Sequence, residues 1–276
     1  MSRPAQITDI QHGRLALRSG VMIYVGVLVV LPLAALVQHG LADGLLGLWR
    51  AAATPVAVQA MVLTLWTAAL MAVINAVMGT LTAWALVRYE FPGRGVLSAL
   101  VDLPFAIPTL VTGVMLVILL GPQSPLGGWL AAQGMPIAFA PPAIVLALLF
   151  ITMPFVVRAV EPVLLEQDPA EEEAARTLGA GTWTVFRRIL LPPILPALLS
   201  GTIRSFARAL GELGSVIVVS GNIPYRTLTA PIYIFGEIES GQPQTAAAVS
   251  VVLLALALVL AFAARGIERA TGVHNG

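Results

Sequence analysis

Long apolar runs separated by short polar stretches dominate the chain. A helix that crosses a membrane needs about 20 consecutive, mainly apolar residues, and several segments have that character. These segments lie at about 21–38, 58–86, 96–120, 142–160, 194–219 and 245–264. The pattern predicts an all-α integral membrane protein, in which residues 1–276 form one transmembrane domain of six helices.

The first apolar segment allows a second interpretation, because a polar stretch with Arg3, Arg14 and Arg18 precedes it. A cleaved signal peptide also has a basic start followed by an apolar core. That core is usually shorter than residues 21–38, and no small-x-small cleavage motif closes this one. We therefore expect a span that is retained.

Composition narrows the class of protein. Only 11% of the residues are charged and 58% are hydrophobic, which leaves too little charge to cover a soluble enzyme of this length. The chain has no cysteine, which excludes disulfides, thiolate metal sites and cysteine nucleophiles. All 15 basic residues are arginine, and a chain without lysine has no P-loop for nucleotide. His12, His39 and His274 are scattered along the chain, so we expect no metal site.

The distribution of arginine predicts the orientation of the chain. One set of tails and loops shares most of the arginines: Arg3, Arg14, Arg18, Arg88, Arg94, Arg176, Arg187, Arg188, Arg265 and Arg269. The opposite loops hold only Arg50 and Arg226. Because arginine accumulates on the cytoplasmic side of a membrane, we expect both termini and the segment 161–193 to be cytoplasmic.

The segment 161–193 contains the stretch "EEEAARTLGAGTWTVFRRILLP", which starts at Glu171. Its local signals predict two short helices joined by a tight turn. Asp168 can cap the first helix, and Glu171 completes a capping box three residues later. Gly179 supplies the left-handed residue that ends this helix. Thr182 is the expected cap of the second helix, which the prolines of the next span terminate.

Three interpretations of this helix-turn-helix compete. A plain solvated loop would not have two caps and an aromatic side with Trp183 and Phe186. A DNA-reading helix-turn-helix would need a basic second helix and a soluble setting. The third interpretation is a docking element for a cytoplasmic partner, which can approach closely because Ala174, Ala175 and Leu178 share one face of the first helix. We favour this third interpretation.

The same residues carry a resemblance to a known family. Glu173-Ala174-Ala175, Gly179 and the stretch Ile189 to Pro192 reproduce the pattern E-A-A-x3-G-x9-I-x-L-P of the EAA loop of ABC importer permeases. The stretches "RYEFPGRGVLSALVDLPFAIPTLVTG", "PFVVRAVEPVLLE" and "FARALGELGSVIVVSGN" resemble the T-type permease subunit of sulfate/thiosulfate importers. The resemblance covers nearly the whole chain.

That resemblance implies a type I importer permease with a cytoplasmic coupling helix, in the inner membrane of a bacterium. The implied partners are two ATPase subunits that hold ATP and Mg, a second permease subunit, an extracytoplasmic sulfate-binding protein and membrane lipid, with no nucleic acid. Molybdate or tungstate is the alternative substrate. The implied contacts with the ATPase are Glu173, Ala174, Ala175, Leu178, Gly179, Thr182, Phe186, Ile189 and Pro192.

Charged residues in the fifth apolar segment are candidates for the transport path. Arg204, Arg208 and Glu212 recur every four residues and should share one helix face, beside a small stripe of Ala207, Gly211 and Ser215. An intrahelical pair of Arg208 with Glu212 and a direct contact with the anion both remain open. The candidate path or gating residues are Asp102, Pro104, Pro108, Thr109, Thr112, Arg204, Ser205, Arg208, Gly211 and Glu212.

The prolines at the start of the third segment also allow two interpretations. Pro104 and Pro108 could free backbone groups to face a cavity, where Thr109 and Thr112 would offer hydroxyls to an oxyanion. An ordinary proline kink, with both threonines bonded to their own backbone, is the other interpretation. Outside the membrane, the loop 221–245 could shape the outer mouth or receive a binding protein.

An intramembrane enzyme is the competing class of function. It would need a serine, a histidine or paired carboxylates placed together within the spans. Asp102 and Glu212 lie in different segments with no repeated motif. The residues therefore favour a transport subunit whose energy comes from partner ATPases.

Overall fold

The structure, a computed structural model, describes residues 17–270, and all regular elements in that range are helical. The predictions that involve Arg3, Arg14, His12 and His274 fall outside the described residues. The helices are α1 (Leu17–Gly40), α2 (Gly44–Ala52), α3 (Pro55–Arg88), α4 (Arg94–Ala106), α5 (Thr109–Leu120), α6 (Pro125–Ala132), α7 (Pro141–Glu166), α8 (Pro169–Thr177), α9 (Thr182–Leu210), α10 (Gly214–Val219), α11 (Ala230–Glu239) and α12 (Pro243–Ala270).

Five of these helices, α1, α3, α7, α9 and α12, are long and apolar enough to cross a membrane. The pair α4 and α5 adds a sixth crossing if the two helices count as one span. The prediction of an all-α integral membrane fold is confirmed. The ends differ from the predicted ones, and α3 is extended to 34 residues where 58–86 was expected.

The third apolar segment is not the single helix that the run 96–120 predicts. It forms α4 and α5, which meet at an angle of 115°. The break lies at Ile107 and Pro108: Ile107 is extended, with φ −87° and ψ 128°. A residue that precedes proline is pushed out of the helical region, so the break follows from the local sequence.

The predicted second helix of the helix-turn-helix is not separate from the fifth span. The helix α9 runs without interruption from Thr182 through Pro192. A π-helical turn at Phe186–Leu190 ends two residues before Pro192. Such a turn changes the hydrogen-bond pattern near a proline, which lacks an N–H. Gly181, not Thr182, occupies the N-cap, and no side chain caps this end. Because α7 also extends to Glu166, the stretch between the two spans shrinks from 161–193 to 167–181.

The other end of the fifth span is also shorter than 194–219 predicts. The helix α9 stops at Leu210, and α10 begins at Gly214. This break divides the predicted small stripe, because Ala207 and Gly211 are exposed whereas Ser215 is fully buried beyond the break. The equal spacing in the sequence does not place these three residues on one face.

The core lies where α3, α7 and α9 pack together. One apolar cluster, towards the end of α3, contains Leu86, Val157, Leu164 and Ile194. A second cluster contains Met71, Ile144, Leu148 and Leu210. By contrast, the most apolar part of α1 has no buried residue within the described chain. The bundle formed by α3, α7 and α9 therefore supports the short helices that carry the candidate site.

Candidate coupling site and transport path

The helix α8 has the N-cap and the C-terminal turn that the sequence predicts, but within the described residues the Glu171 side chain makes no hydrogen bond that would complete the predicted capping box. Oδ1 of Asp168 accepts a hydrogen bond from the N–H of Ala170 at 2.9 Å. Gly179 has φ +84°, and its N–H donates to the carbonyl of Arg176 at 2.9 Å. Glycine adopts this left-handed conformation without the steric cost that a Cβ brings. The predicted cap and the predicted turn are both confirmed.

The face of α8 and its turn that points away from the bundle exposes large apolar side chains. Leu178 is 88% exposed and Trp183 is 70% exposed, and Glu173 and Ala174 are exposed beside them. This patch is in a polar connection between two spans, where lipid chains would not cover it. Apolar side chains left bare among polar ones are typical of a surface that binds a partner.

The inner side of α8 is held by a contact that the sequence did not reveal. Nε of Arg88 donates to Oε1 of Glu172 at 2.6 Å, and Nη2 of Arg88 donates to the carbonyl of Gln167 at 3.2 Å. Glu172 is 5% exposed. Glu172 also pairs with Arg176, four residues later on the same helix, at a longer 3.6 Å. No sequence signal joins Arg88 to a residue 84 positions away.

An aromatic cluster supports the turn between α8 and α9. Phe186 packs between Trp84 and Trp183, with ring centroids 5.8 Å and 5.7 Å away. Ile189 is partly buried, and Thr182 and Pro192 are exposed. Among the candidate contacts on α9, the structure therefore leaves Thr182 and Pro192 exposed and places the partly buried Phe186 between two tryptophan rings.

Asp102, a candidate path residue, is engaged by Arg158 of α7. Nε and Nη2 of Arg158 donate to the two carboxylate oxygens of Asp102 at 2.7 Å and 2.6 Å. Nη1 of Arg158 also pairs with Glu161, and Nη2 bonds Ser98 at 2.9 Å. This bidentate contact ties α4 to α7. The sequence singled out Asp102 but gave no sign that Arg158 would be its partner.

Of the threonines after the kink, Thr109 lies against Gly214 of α10 and Thr112 is buried. Thr112 is 2% exposed. A Cβ on the adjacent Gly113 would lie 2.7 Å from the carbonyl oxygen of Ser215, and one on Gly214 would collide with the hydroxyl of Thr109. The helices α5 and α10 therefore meet through glycines, and each of them follows a break. Pro104 is buried and Pro108 is exposed at the first of these breaks.

Glu212 joins the two sides of the second break. Nη2 of Arg208 lies 2.8 Å from Oε2 of Glu212, as the spacing predicts. Oε1 of Glu212 accepts hydrogen bonds from the N–H of Ser215 at 2.9 Å and from its hydroxyl at 3.0 Å. Glu212 is 3% exposed, whereas Arg204, one turn before Arg208, is exposed.

Ser205 lies apart from these charged residues, within the bundle. It is fully buried, 3.4 Å from the sulfur of Met71 and 3.5 Å from the carbonyl of Thr152. Asn75 donates to the hydroxyl of Thr152 at 2.8 Å and completes a polar cluster between α3, α7 and α9. Sequence reasoning missed this cluster, because each member is an isolated polar residue in an apolar run. Between residues 17 and 270, acidic and histidine side chains form no group of three that could hold a metal ion.

Comparison with known proteins shows to which family the chain belongs. Residues 75–273 match the family described as "Binding-protein-dependent transport system inner membrane component". The chain belongs to this family. Its members are membrane components of transport systems, so this component is a multi-pass inner membrane protein rather than an enzyme. The family resemblance carried by the EAA pattern is confirmed.

Individual relatives are similar over most of their length. A "Probable sulfate transport system permease protein cysT" from Nephroselmis olivacea is 42% identical over 247 residues, which cover 90% of this chain and 87% of the relative. The "Sulfate transport system permease protein CysT" of Escherichia coli (strain K12) is 39% identical over 251 residues, or 91% of each chain.

Solved structures support the fold of this transport component. A chain of a bacterial alginate ABC transporter, solved in complex with an alginate pentasaccharide-bound periplasmic protein, superposes with a TM-score of 0.79. The match covers 98% of both chains at 20% sequence identity. At that identity, the similarity supports the helical architecture and carries no information about substrate.

Proposed function

We propose that the chain is the T-type permease subunit of an ATP-driven importer that carries sulfate or thiosulfate into the cytoplasm. One observation carries the proposal: relatives named as sulfate transport permeases match over about nine-tenths of this chain at 39–42% identity. The exposed patch on α8, next to a buried bundle, supports a subunit that is driven by a partner.

The partners follow from the same reasoning. Two ATPase subunits hold ATP and Mg, and each binds the α8 helix of one permease. The bare side chains of Leu178 and Trp183 supply apolar contact, and Glu173 offers a carboxylate to a basic or N–H donor. A second, similar permease completes the path, and an extracytoplasmic binding protein delivers the anion. The family description, which is of binding-protein-dependent systems, supports that last partner.

The proposed orientation places α8 and both termini in the cytoplasm. Arg88, Arg94, Arg176, Arg187 and Arg188 lie in α8 or at the ends of α3, α4 and α9 on the α8 side of the bundle. Such an excess of arginine is typical of the cytoplasmic face. In this orientation α11 and the loop before it face outwards.

Within the path, Arg204 is the residue that we propose to contact the anion. Glu212 offsets the charge of Arg208, and Arg158 occupies Asp102. Arg204 is exposed, and none of the ion pairs between residues 17 and 270 includes it. A guanidinium without a carboxylate partner is suited to a transient contact with an oxyanion.

The proposed contact predicts that Arg204→Gln lowers sulfate uptake about tenfold, the effect of losing one charge-assisted hydrogen bond. Arg204→Lys should keep most of the uptake, because the charge remains. Uptake of radiolabelled sulfate by cells that contain equal amounts of each assembled variant measures this effect. Equal uptake by wild type and Arg204→Gln would remove Arg204 from the path.

Substrate identity is tested in cells from which the operon has been deleted and then restored. Radiolabelled sulfate should accumulate only after restoration, and unlabelled thiosulfate should compete with it. Molybdate and tungstate at the same concentration should compete poorly. Accumulation of molybdate or tungstate without sulfate would contradict the proposed substrate and leave the importer assignment in place.

A further inference from the structure

The helix α8 has few buried side chains through which it could move the bundle. Glu172 is its one buried residue, and the neighbours on both sides, Glu171 and Glu173, are exposed. Two short connections, 167–168 and 178–181, join α8 to α7 and α9. Movement imposed on α8 therefore has to pass through these connections or through Glu172.

Arg88 makes the Glu172 contact a junction of three elements. It is the last residue of α3, and its Nε and Nη2 bind the Glu172 carboxylate and the Gln167 carbonyl. Gln167 directly follows α7 and is its C-cap residue. Since a guanidinium is planar and rigid, its two contacts fix the direction of α8 relative to α7 as well as its distance from α3.

The junction rests on a well-packed part of the bundle. Leu86, two residues before Arg88, is 1% exposed and belongs to one cluster with Leu164 of α7 and Ile194 of α9. Packed clusters of this kind shift as a unit rather than deform. The end of α3 that carries Arg88 is thus held by packing, and among the described residues the ion pairs of Arg88 include only Glu172.

We propose that the Arg88–Glu172 pair is the tie that transmits movement of α8 to α3 and α7, which makes Arg88 a positioning residue for coupling. This inference rests on the proposed function, in which an ATPase moves α8. A pair with a merely structural role would instead set how much complex assembles and leave the coupling of the assembled complex unchanged.

The test uses the full chain in its complex with the second permease, the ATPase subunits and the binding protein, reconstituted in liposomes. We expect Glu172→Gln and Arg88→Gln each to lower the sulfate transported per ATP hydrolysed by at least about fivefold, the lower end of typical coupling between sites. ATP hydrolysis should continue in both variants. The losses in the double variant should be smaller than the two single losses combined, because both substitutions remove the Arg88–Glu172 pair.

Arg94→Gln is the matched control, since Arg94 lies on the same side of the bundle and forms no ion pair within residues 17–270. It should keep the wild-type ratio of sulfate to ATP. An unchanged ratio in assembled Glu172→Gln or Arg88→Gln complexes overturns the inference, as does failure of both variants to assemble. If the wild-type complex itself does not transport sulfate, it is the proposed function that fails.

Discussion

A buried glutamate paired with an arginine precedes α9 in the chain, and another follows it. The two pairs differ in what they connect. Glu172 binds Arg88 of a helix that is distant in sequence, and the surface around it is exposed. Glu212 binds Arg208, four residues earlier, and also holds Ser215 across the break before α10. The first pair connects separate helices, whereas the second preserves a local bend.

This difference separates two mechanical roles. A pair between helices can transmit displacement, because its members belong to parts that can move independently. A pair within consecutive residues fixes the shape of one part. The end of α9 next to α8 is therefore suited to receive movement from a bound partner. The end next to α10 is suited to keep a fixed geometry beside α5.

The largest predicted effect concerns the face of α8 that points away from the bundle. Ala174 is two residues after the buried Glu172, about 200° around the helix, so its side chain faces away from the bundle. Ala174→Glu should lower transport at least about thirtyfold, the consequence of losing about 2 kcal/mol at the centre of an interface. Sulfate uptake and sulfate-stimulated ATP hydrolysis by the reconstituted complex measure the loss.

A matched control for that prediction is Ala132→Glu, at the exposed end of α6. It introduces the same charge away from α8 and should leave the two measurements close to wild type. The membrane subunits of Ala174→Glu should still assemble with each other. Retained sulfate-stimulated ATP hydrolysis in Ala174→Glu would show that this surface does not couple to the ATPase.

The second effect concerns stability at the α10 end. Glu212→Gln removes the charge that pairs with Arg208 and weakens the acceptor for Ser215, and we expect it to cost about 2–3 kcal/mol. The free energy of unfolding of the purified chain in detergent is the measurement. Glu239→Gln, at the exposed end of α11, should change it by less than about 0.5 kcal/mol. Similar values for both variants would mean that Glu212 does not hold the break.

The smallest effect probes the contact between α5 and α10. Gly113→Ala would place a methyl group 2.7 Å from the Ser215 carbonyl and 2.8 Å from Cβ of Val218. Overpacking of this kind should destabilise the fold by about 1–2 kcal/mol. Gly236→Ala, in the middle of α11 with no atom within 4 Å, should be neutral or stabilising by up to about 1 kcal/mol. Thermal unfolding of the two variants side by side would reveal any reversal of this order.

Local signals in the sequence predicted local structure well. The cap at Asp168, the left-handed Gly179 and the Arg208–Glu212 pair each depend on residues within four positions of one another. Apolar run length predicted that the third and fifth segments span the membrane, but it did not predict that they break. At the first break the signal is local, since Pro108 indicated a kink as one of two interpretations. The break between Leu210 and Gly214 in the fifth segment was not predicted.

Contacts between distant parts of the chain were not predictable in this way. Arg158 binds Asp102, Arg88 binds Glu172, and Ser205 joins the buried cluster with Thr152. In each case the residues are separated by dozens of positions, and any of several other partners would satisfy the same chemistry. Only the packing of α3, α4, α7 and α9 selects among them.

The sequence by itself determined the membrane class, the family and the coupling segment, because hydrophobic length and the EAA pattern are properties of consecutive residues. Tertiary structure alone decided which side of α8 is held and which is left bare. That decision depends on Arg88, which the end of a 34-residue helix brings to Glu172. Whether a charged residue on a helix is buried or exposed depends on which other helix packs against that face.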